Sequence, residues 1–120
     1  MKKYIYLDDL RSPFDDKWII VRNYYQFIKT IELIGLENIK VISLDHDLGV
    51  IPGEKEKTGY DCAKWLVNLS MDKKINLPYI YVHSDNNVGS YNIITYVNNY
   101  LRFCKLPETC SIGYIPFKIK

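Results

Sequence analysis

The sequence predicts an α/β domain built on a parallel sheet, and three observations predict it. Short β-branched or aromatic runs alternate with longer stretches whose apolar residues recur at helical spacing. Three of the short runs end in acid, imidazole or hydroxyl: Lys3 to Leu7 leads into Asp8-Asp9, Ile39 to Leu44 into Asp45-His46-Asp47, and Tyr79 to Val82 into His83-Ser84-Asp85. Parallel strands send such exits to one edge of the sheet, where loops and helix N-termini converge and ligands bind. The chain is thereby organised around Ser43-Leu44-Asp45-His46-Asp47-Leu48-Gly49, the exit of a short apolar strand.

Lys3 to Leu7 reads as the first strand, and Pro13 keeps the loop after Asp8-Asp9 from turning helical at once. Trp18 to Arg22 is a second short β-branched run. Tyr24, Phe27, Ile28, Ile31 and Ile34 form a helical stripe that stops at Gly35, a natural C-cap. The strand Ile39 to Leu44 follows, then a polar surface loop from Val50 to Lys57 with Pro52, Gly53 and alternating Glu and Lys. Thr58, with Asp61 three residues on, opens a helix through about Met71, its inner face Ala63, Leu66, Val67 and Ser70. Pro78 precedes the strand Tyr79 to Val82. Asn86 or Asn87 then caps a helix that buries Ser90, Ile94, Val97, Leu101 and Cys104. Ser111 to Tyr114 gives a last strand, closed by Pro116. The expectation is a single domain over residues 1–120 with helices on both faces of the sheet.

At 120 residues, 48% hydrophobic and 25% charged, the chain is long enough to bury a core without metals or disulfides. No stretch is apolar enough to span a membrane, and the segment after the N-terminal lysines is too short for a signal peptide, so a cytoplasmic protein is expected. Cys62, Cys104 and Cys110 show neither CxxC nor a zinc spacing. They read as free thiols, with a Cys104–Cys110 bridge as the alternative. A net charge of +2, from lysines spread along the chain, is too mild to argue for nucleic acid.

Carboxylates crowded at adjacent strand exits repel one another, and a divalent cation is the usual remedy. Asp8, Asp9, Asp45 and Asp47 are the candidate ligands, and oxygen-only ligation favours Mg2+ or Mn2+ over zinc. Asp8-Asp9 alone reads equally well as a strand-ending turn, but Asp45 at a neighbouring exit tilts the reading toward metal. Asp45 and Asp47 would face the same way if the strand continued, with His46 pointing elsewhere. His83, beside Ser84 and just before a helix, is the better-placed catalytic imidazole and a candidate general acid. Asp45 and His46 complete the catalytic candidates, His46 being weighed equally as a structural imidazole. Arg11, Ser84, Asn86 and Asn87 are candidates for holding phosphate, Arg11 against the alternative of a surface salt bridge with Asp15 or Asp16. Thr58 reads as a helix cap, and Trp18 and Trp65 as core.

Several of these features together resemble the receiver domain of response regulators. They are the acid pair Asp8-Asp9, the central Asp45 to Gly49, the hydroxyl of Ser84 and the closing Pro116-Phe117. The resemblance implies a receiver-like (flavodoxin-like) three-layer sandwich with a central parallel sheet, a magnesium ion at the acids and a phosphoryl group on Asp45. Receivers carry a Lys before Pro-Phe; here that position is Ile115, which argues against phosphorelay signalling. Leu7 to Pro13, Ser43 to Gly49, Thr58 to Asp61 and His83 to Asn86 are more similar still to a divergent receiver-like family named for cyclic-phosphate processing. That resemblance implies a metal-dependent phosphoesterase acting on a cyclic phosphate or nucleotide-type phosphate ester. Its partner would be a phosphorylated small molecule or nucleotide, with RNA ends as a further class. The alternatives are a binding module that sequesters a phosphorylated small molecule, and a degenerate regulatory receiver.

Overall fold

The computed structural model describes residues 1–113; Tyr114 as the end of the last strand, Ile115 and the Pro116-Phe117 pair lie outside the described residues. Five strands, β1 (Lys3–Leu7), β2 (Trp18–Val21), β3 (Ile39–Leu44), β4 (Tyr79–Val82) and β5 (Ser111–Ile112), form one sheet in the order β2-β1-β3-β4-β5. Every pairing is parallel, so all the C-terminal ends emerge at one edge, as in the receiver-like, flavodoxin-like α/β class. Helices α1 (Tyr24–Ile34), α2 (Gly59–Lys73) and α3 (Asn87–Phe103) connect β2 to β3, β3 to β4 and β4 to β5.

Each helix starts where a side chain takes up a free amide. Asn23 accepts from the Gln26 N–H, Thr58 and Asp61 form a reciprocal capping box, and Asn86 accepts from the Gly89 N–H. α1 ends at Gly35, whose φ of 91° lets its N–H turn back to the Ile31 carbonyl. α2 runs on past Met71 to Lys73 and closes on Lys74 in the left-handed region.

The pleat divides the sheet into two unlike faces. Ile5, Leu7, Ile42, Leu44, Ile80 and Val82 share one core with Phe27 and Ile31 of α1, Leu66 of α2, and Ile93 and Val97 of α3. The other face carries Tyr6, Trp18 and Val41, with Tyr4 and Tyr81 packed against them. Among the described residues all three helices therefore stack on one face, which differs from the expected cover on both. The reason is direction. The steps β2 to β3, β3 to β4 and β4 to β5 all advance the same way across the sheet, and right-handed crossovers advancing one way put every helix on one side. Only β1 to β2 steps back, and that connection, residues 8–17, contains no helix.

Smaller differences have local causes. Arg22 lies past the end of β2. Ile93, not Ile94, is the fully buried isoleucine of α3, and Cys104 is exposed because α3 ends at Phe103. All three cysteines are free. Among the described residues no helix is long and apolar enough to cross a membrane.

Candidate functional site

The pleat also decides which side chains meet. Tyr6 of β1 is in register with Ser43 of β3, and Ser43 with Tyr81 of β4. Two residues further on stand Asp8, Asp45 and His83, so alternation brings all three to the end of the helix-free face. There one carboxylate oxygen each from Asp8, Asp9 and Asp45 lies within 4.8 Å of the others. Asp8 and Asp45 are buried and Asp9 half-buried.

Asp8 is held by four N–H groups. Its Oδ1 accepts from the backbone of Leu10 (2.9 Å) and Arg11 (2.7 Å), and its Oδ2 from Arg11 Nε (2.9 Å) and His83 Nε2 (3.1 Å). Burial works to raise its pKa, but the bonds from His83, from the Arg11 and Leu10 backbone and from the Arg11 side chain outweigh it. The carboxyl is held well below the usual carboxylate range. Arg11 thus pairs with Asp8, its Nη2 donates to the His83 carbonyl at 2.9 Å, and Asp45 and Asp85 each stand 3.8 Å from its outer nitrogens. The loop that carries both residues is tied down by Arg22, which donates to the carbonyls of Asp8 (3.1 Å) and Arg11 (2.7 Å).

Asp45 has the opposite balance. Burial first, then the nearby charge of Asp8, pushes its carboxyl up despite His83, Ser84 and Arg11. Asp45 Oδ1 accepts from the His46 N–H, and Asp9 Oδ2 from the Gly49 N–H at 3.2 Å. Asp47 stands outside this group. β3 ends at Leu44, so the alternation that would align Asp47 with Asp45 is lost, and its exposed carboxylate turns to His46 Nδ1 (2.7 Å) and Asn86 Nδ2 (3.1 Å). Those two bonds lower its pKa.

Two glycines bring helix ends up to the site. The Gly59 N–H donates to the His46 carbonyl at 2.8 Å, and a Cβ there would collide with the carbonyl oxygen of Asp45. At Gly89 a Cβ would run into the His46 ring, which lies over the first turn of α3. Asn86, expected among the phosphate contacts, is occupied: its Oδ1 caps α3 and its Nδ2 holds Asp47. Ser84 accepts from the Asn86 N–H, and Asn87 is exposed on the first turn of α3.

The donor set suits a hard divalent cation such as Mg2+ or Mn2+, being carboxylate oxygen throughout. Asp9 and Asp45 keep acceptor positions for one. Asp8, with two N–H donors on each oxygen, would join them by giving up a bond to Arg11. Ser43, Arg22 and Gly59 were given no role in the site from the sequence. Each works through neighbours that only the strand order supplies.

Fold and site together define a receiver-like α/β domain with an acid cluster at the C-terminal edge of its sheet. The chain belongs to the cyclic-phosphate processing receiver domain family, whose model matches residues 3–99. No curated protein and no solved structure matches it.

Proposed function

We propose that the domain is a divalent-metal-dependent phosphoesterase acting on a cyclic phosphate or nucleotide-type phosphate ester. The observation that carries this reading is the meeting of Asp8, Asp9 and Asp45 within 4.8 Å, beside the part-exposed guanidinium of Arg11. Family membership supports the substrate class. Asp9 and Asp45 would hold the cation with Asp8 adjoining, and when bound it supplies Lewis-acid polarisation of a phosphoryl oxygen.

The chain's own residues do the rest. Arg11 is anchored by Asp8 and the His83 carbonyl, and its outer Nη1, paired among the described residues only with the exposed Asp85 at 3.8 Å, can exchange that carboxylate for a phosphate oxygen. The first amides of α3, at Asn87 and Val88, offer a second anion contact. His46 exchanges the proton. Its Nδ1 is bonded to the Asp47 carboxylate, which places the ring hydrogen there and leaves Nε2 as an acceptor able to draw a proton from the attacking water as its oxygen bonds phosphorus; the ester P–O bond breaks and the departing oxygen takes its proton from solvent.

Purified protein incubated with 2′,3′-cyclic nucleotides and with bis(nitrophenyl) phosphate tests this. Turnover with Mn2+ or Mg2+, abolished by EDTA and restored by excess metal, is the expected result. With no turnover of either ester under either metal, the domain is a binding module instead.

A further inference from the structure

We infer that Ser43 and His83 form a positioning pair that fixes the carboxylate of Asp8, and through it Arg11, at the mouth of the site; the inference rests on the preceding reading for what Asp8 and Arg11 serve. Asp8 already accepts from three groups that can only donate, the Leu10 and Arg11 backbone N–H on Oδ1 and Arg11 Nε on Oδ2, so it is an acceptor on both oxygens, and His83 Nε2, 3.1 Å from Oδ2, carries the ring hydrogen. Nδ1 is then a bare acceptor, and the Ser43 hydroxyl 2.6 Å away donates to it. The two bonds, O–H to nitrogen and N–H to carboxylate, use both polar positions of the ring.

Among the described residues no other side chain bonds to either ring nitrogen. Ser43, Asp8 and His83 are 0%, 1% and 8% exposed, so water does not replace any member. The Tyr6 ring lies flat on the imidazole, 4.4 Å between centroids and 6° from parallel, and fixes its plane. The His83 backbone is pinned as well: its N–H donates to the Leu44 carbonyl and its own carbonyl accepts from Arg11. A general acid must point its proton at the leaving oxygen, whereas the His83 proton points at Asp8. Ser43, fully buried, is no nucleophile either. The pair acts as an outer support, the device by which sites hold an inner carboxylate in one orientation.

Two measurements test it. Long-range 1H–15N spectra of the labelled wild-type protein at neutral pH report the tautomer directly: a His83 ring protonated at Nε2 and bare at Nδ1 is expected, and a proton on Nδ1 overturns the assignment. Calorimetric titration with Mn2+ then compares His83→Gln, whose amide presents an N–H where Nε2 stood, with His83→Leu, which presents none. Loss of an outer support weakens metal affinity about 10- to 100-fold, so that range is expected for His83→Leu and about threefold or less for His83→Gln. Equal weakening in the two overturns the positioning role. Should His83→Leu not fold, Ser43→Ala takes its place with weakening expected, and unchanged affinity counts against the pair. A wild-type protein that binds no Mn2+ refutes the metal reading, and the tautomer then decides the role of His83 alone.

Discussion

The two histidines follow neighbouring strands of one sheet, yet live in opposite surroundings. His83 is buried with both ring nitrogens bonded inside the protein. The His46 side chain is 16% exposed and bonded at Nδ1 to the exposed Asp47, and among the described residues no hydrogen bond reaches its Nε2. The cause is the phase of the pleat. His83, one residue past β4, is in step with Asp45 and lies on the helix-free face against Tyr6, whereas His46, one residue beyond Asp45, falls on the other side, over Gly89 of α3. Similar strand exits thus deliver an imidazole that holds a carboxylate and another that is free to exchange a proton.

The largest expected effect breaks the two apart by kinetics. His46→Ala should lower turnover about a hundredfold or more, the usual scale of general acid–base catalysis, while His83→Gln stays near wild type. Because His46 acts on the attacking group, the loss should be similar for a cyclic nucleotide and a nitrophenyl ester. A His83→Gln loss as large, shrinking when the leaving group is a good one, would reverse the assignment and make His83 the general acid.

Next in size is Asp45→Asn, expected to weaken Mn2+ binding about tenfold or more in a calorimetric titration, since the ion loses a charged ligand. Stability should move the other way. A carboxyl raised in the folded state contributes stability below its unfolded value of about 3.9 and loses it as pH rises through the folded value, so ionised Asp45 is a burden at neutral pH. The variant should melt at the same or a higher temperature at pH 7, with the advantage gone near pH 4. Asp8 has the reverse sign. Its depressed value contributes stability above about 3.9 that is lost as pH falls, so Asp8→Asn should cost stability at neutral pH and little in acid. Identical melting profiles for the two variants would remove the contrast between the two carboxylates.

Much of the contrast was legible in the sequence, and the part that was not has a definite cause. Apolar runs ending in acid or imidazole located Asp8, Asp9, Asp45 and His83 at one edge, because parallel strands leave no other arrangement. The sequence ranks His83 first as the catalytic imidazole, and we propose His46 in its place. Ser43 sits inside an apolar run and reads as filler until register puts it beside His83. Arg22 looked like the last residue of a strand, whereas its guanidinium closes the Asp8 loop by reaching carbonyls on the preceding connection. Arg11 was weighed against Asp15 and Asp16, yet pairs with Asp8, only three residues back and buried. Burial of the partner, invisible in a linear reading, decided the roles of Ser43 and Arg11. The side on which the helices stack likewise follows from strand order and not from the alternation of strands with helices.

Packing beneath His46 offers a smaller test. Gly89→Ala places a methyl group where the imidazole lies, and overpacking of this kind costs about 1–3 kcal/mol, several degrees in melting temperature for a domain of this size. Moving the ring also takes it off Asp47, so turnover should fall with stability. A variant that melts lower with full activity would show that the position of His46 does not matter to the reaction.

The smallest effect is expected at Asp47 itself. Its side chain is 69% exposed, and an exposed ion pair is typically worth under about 1 kcal/mol, so Asp47→Asn should lower turnover by no more than about fivefold. The amide oxygen of the variant still accepts from Nδ1, which preserves the tautomer that leaves Nε2 bare. Part of the loss should come from Asn86, whose Nδ2 bonds to Asp47 and whose Oδ1 caps α3. Raising the salt concentration should narrow the gap between Asp47→Asn and wild type, because the charge being removed is already screened. Asp8→Asn, buried against His83, should be as damaging at high salt as at low. If Asp47→Asn proved as damaging as Asp8→Asn and equally indifferent to salt, the exposed imidazole would be held as rigidly as the buried one, and the distinction between the two histidines would fail.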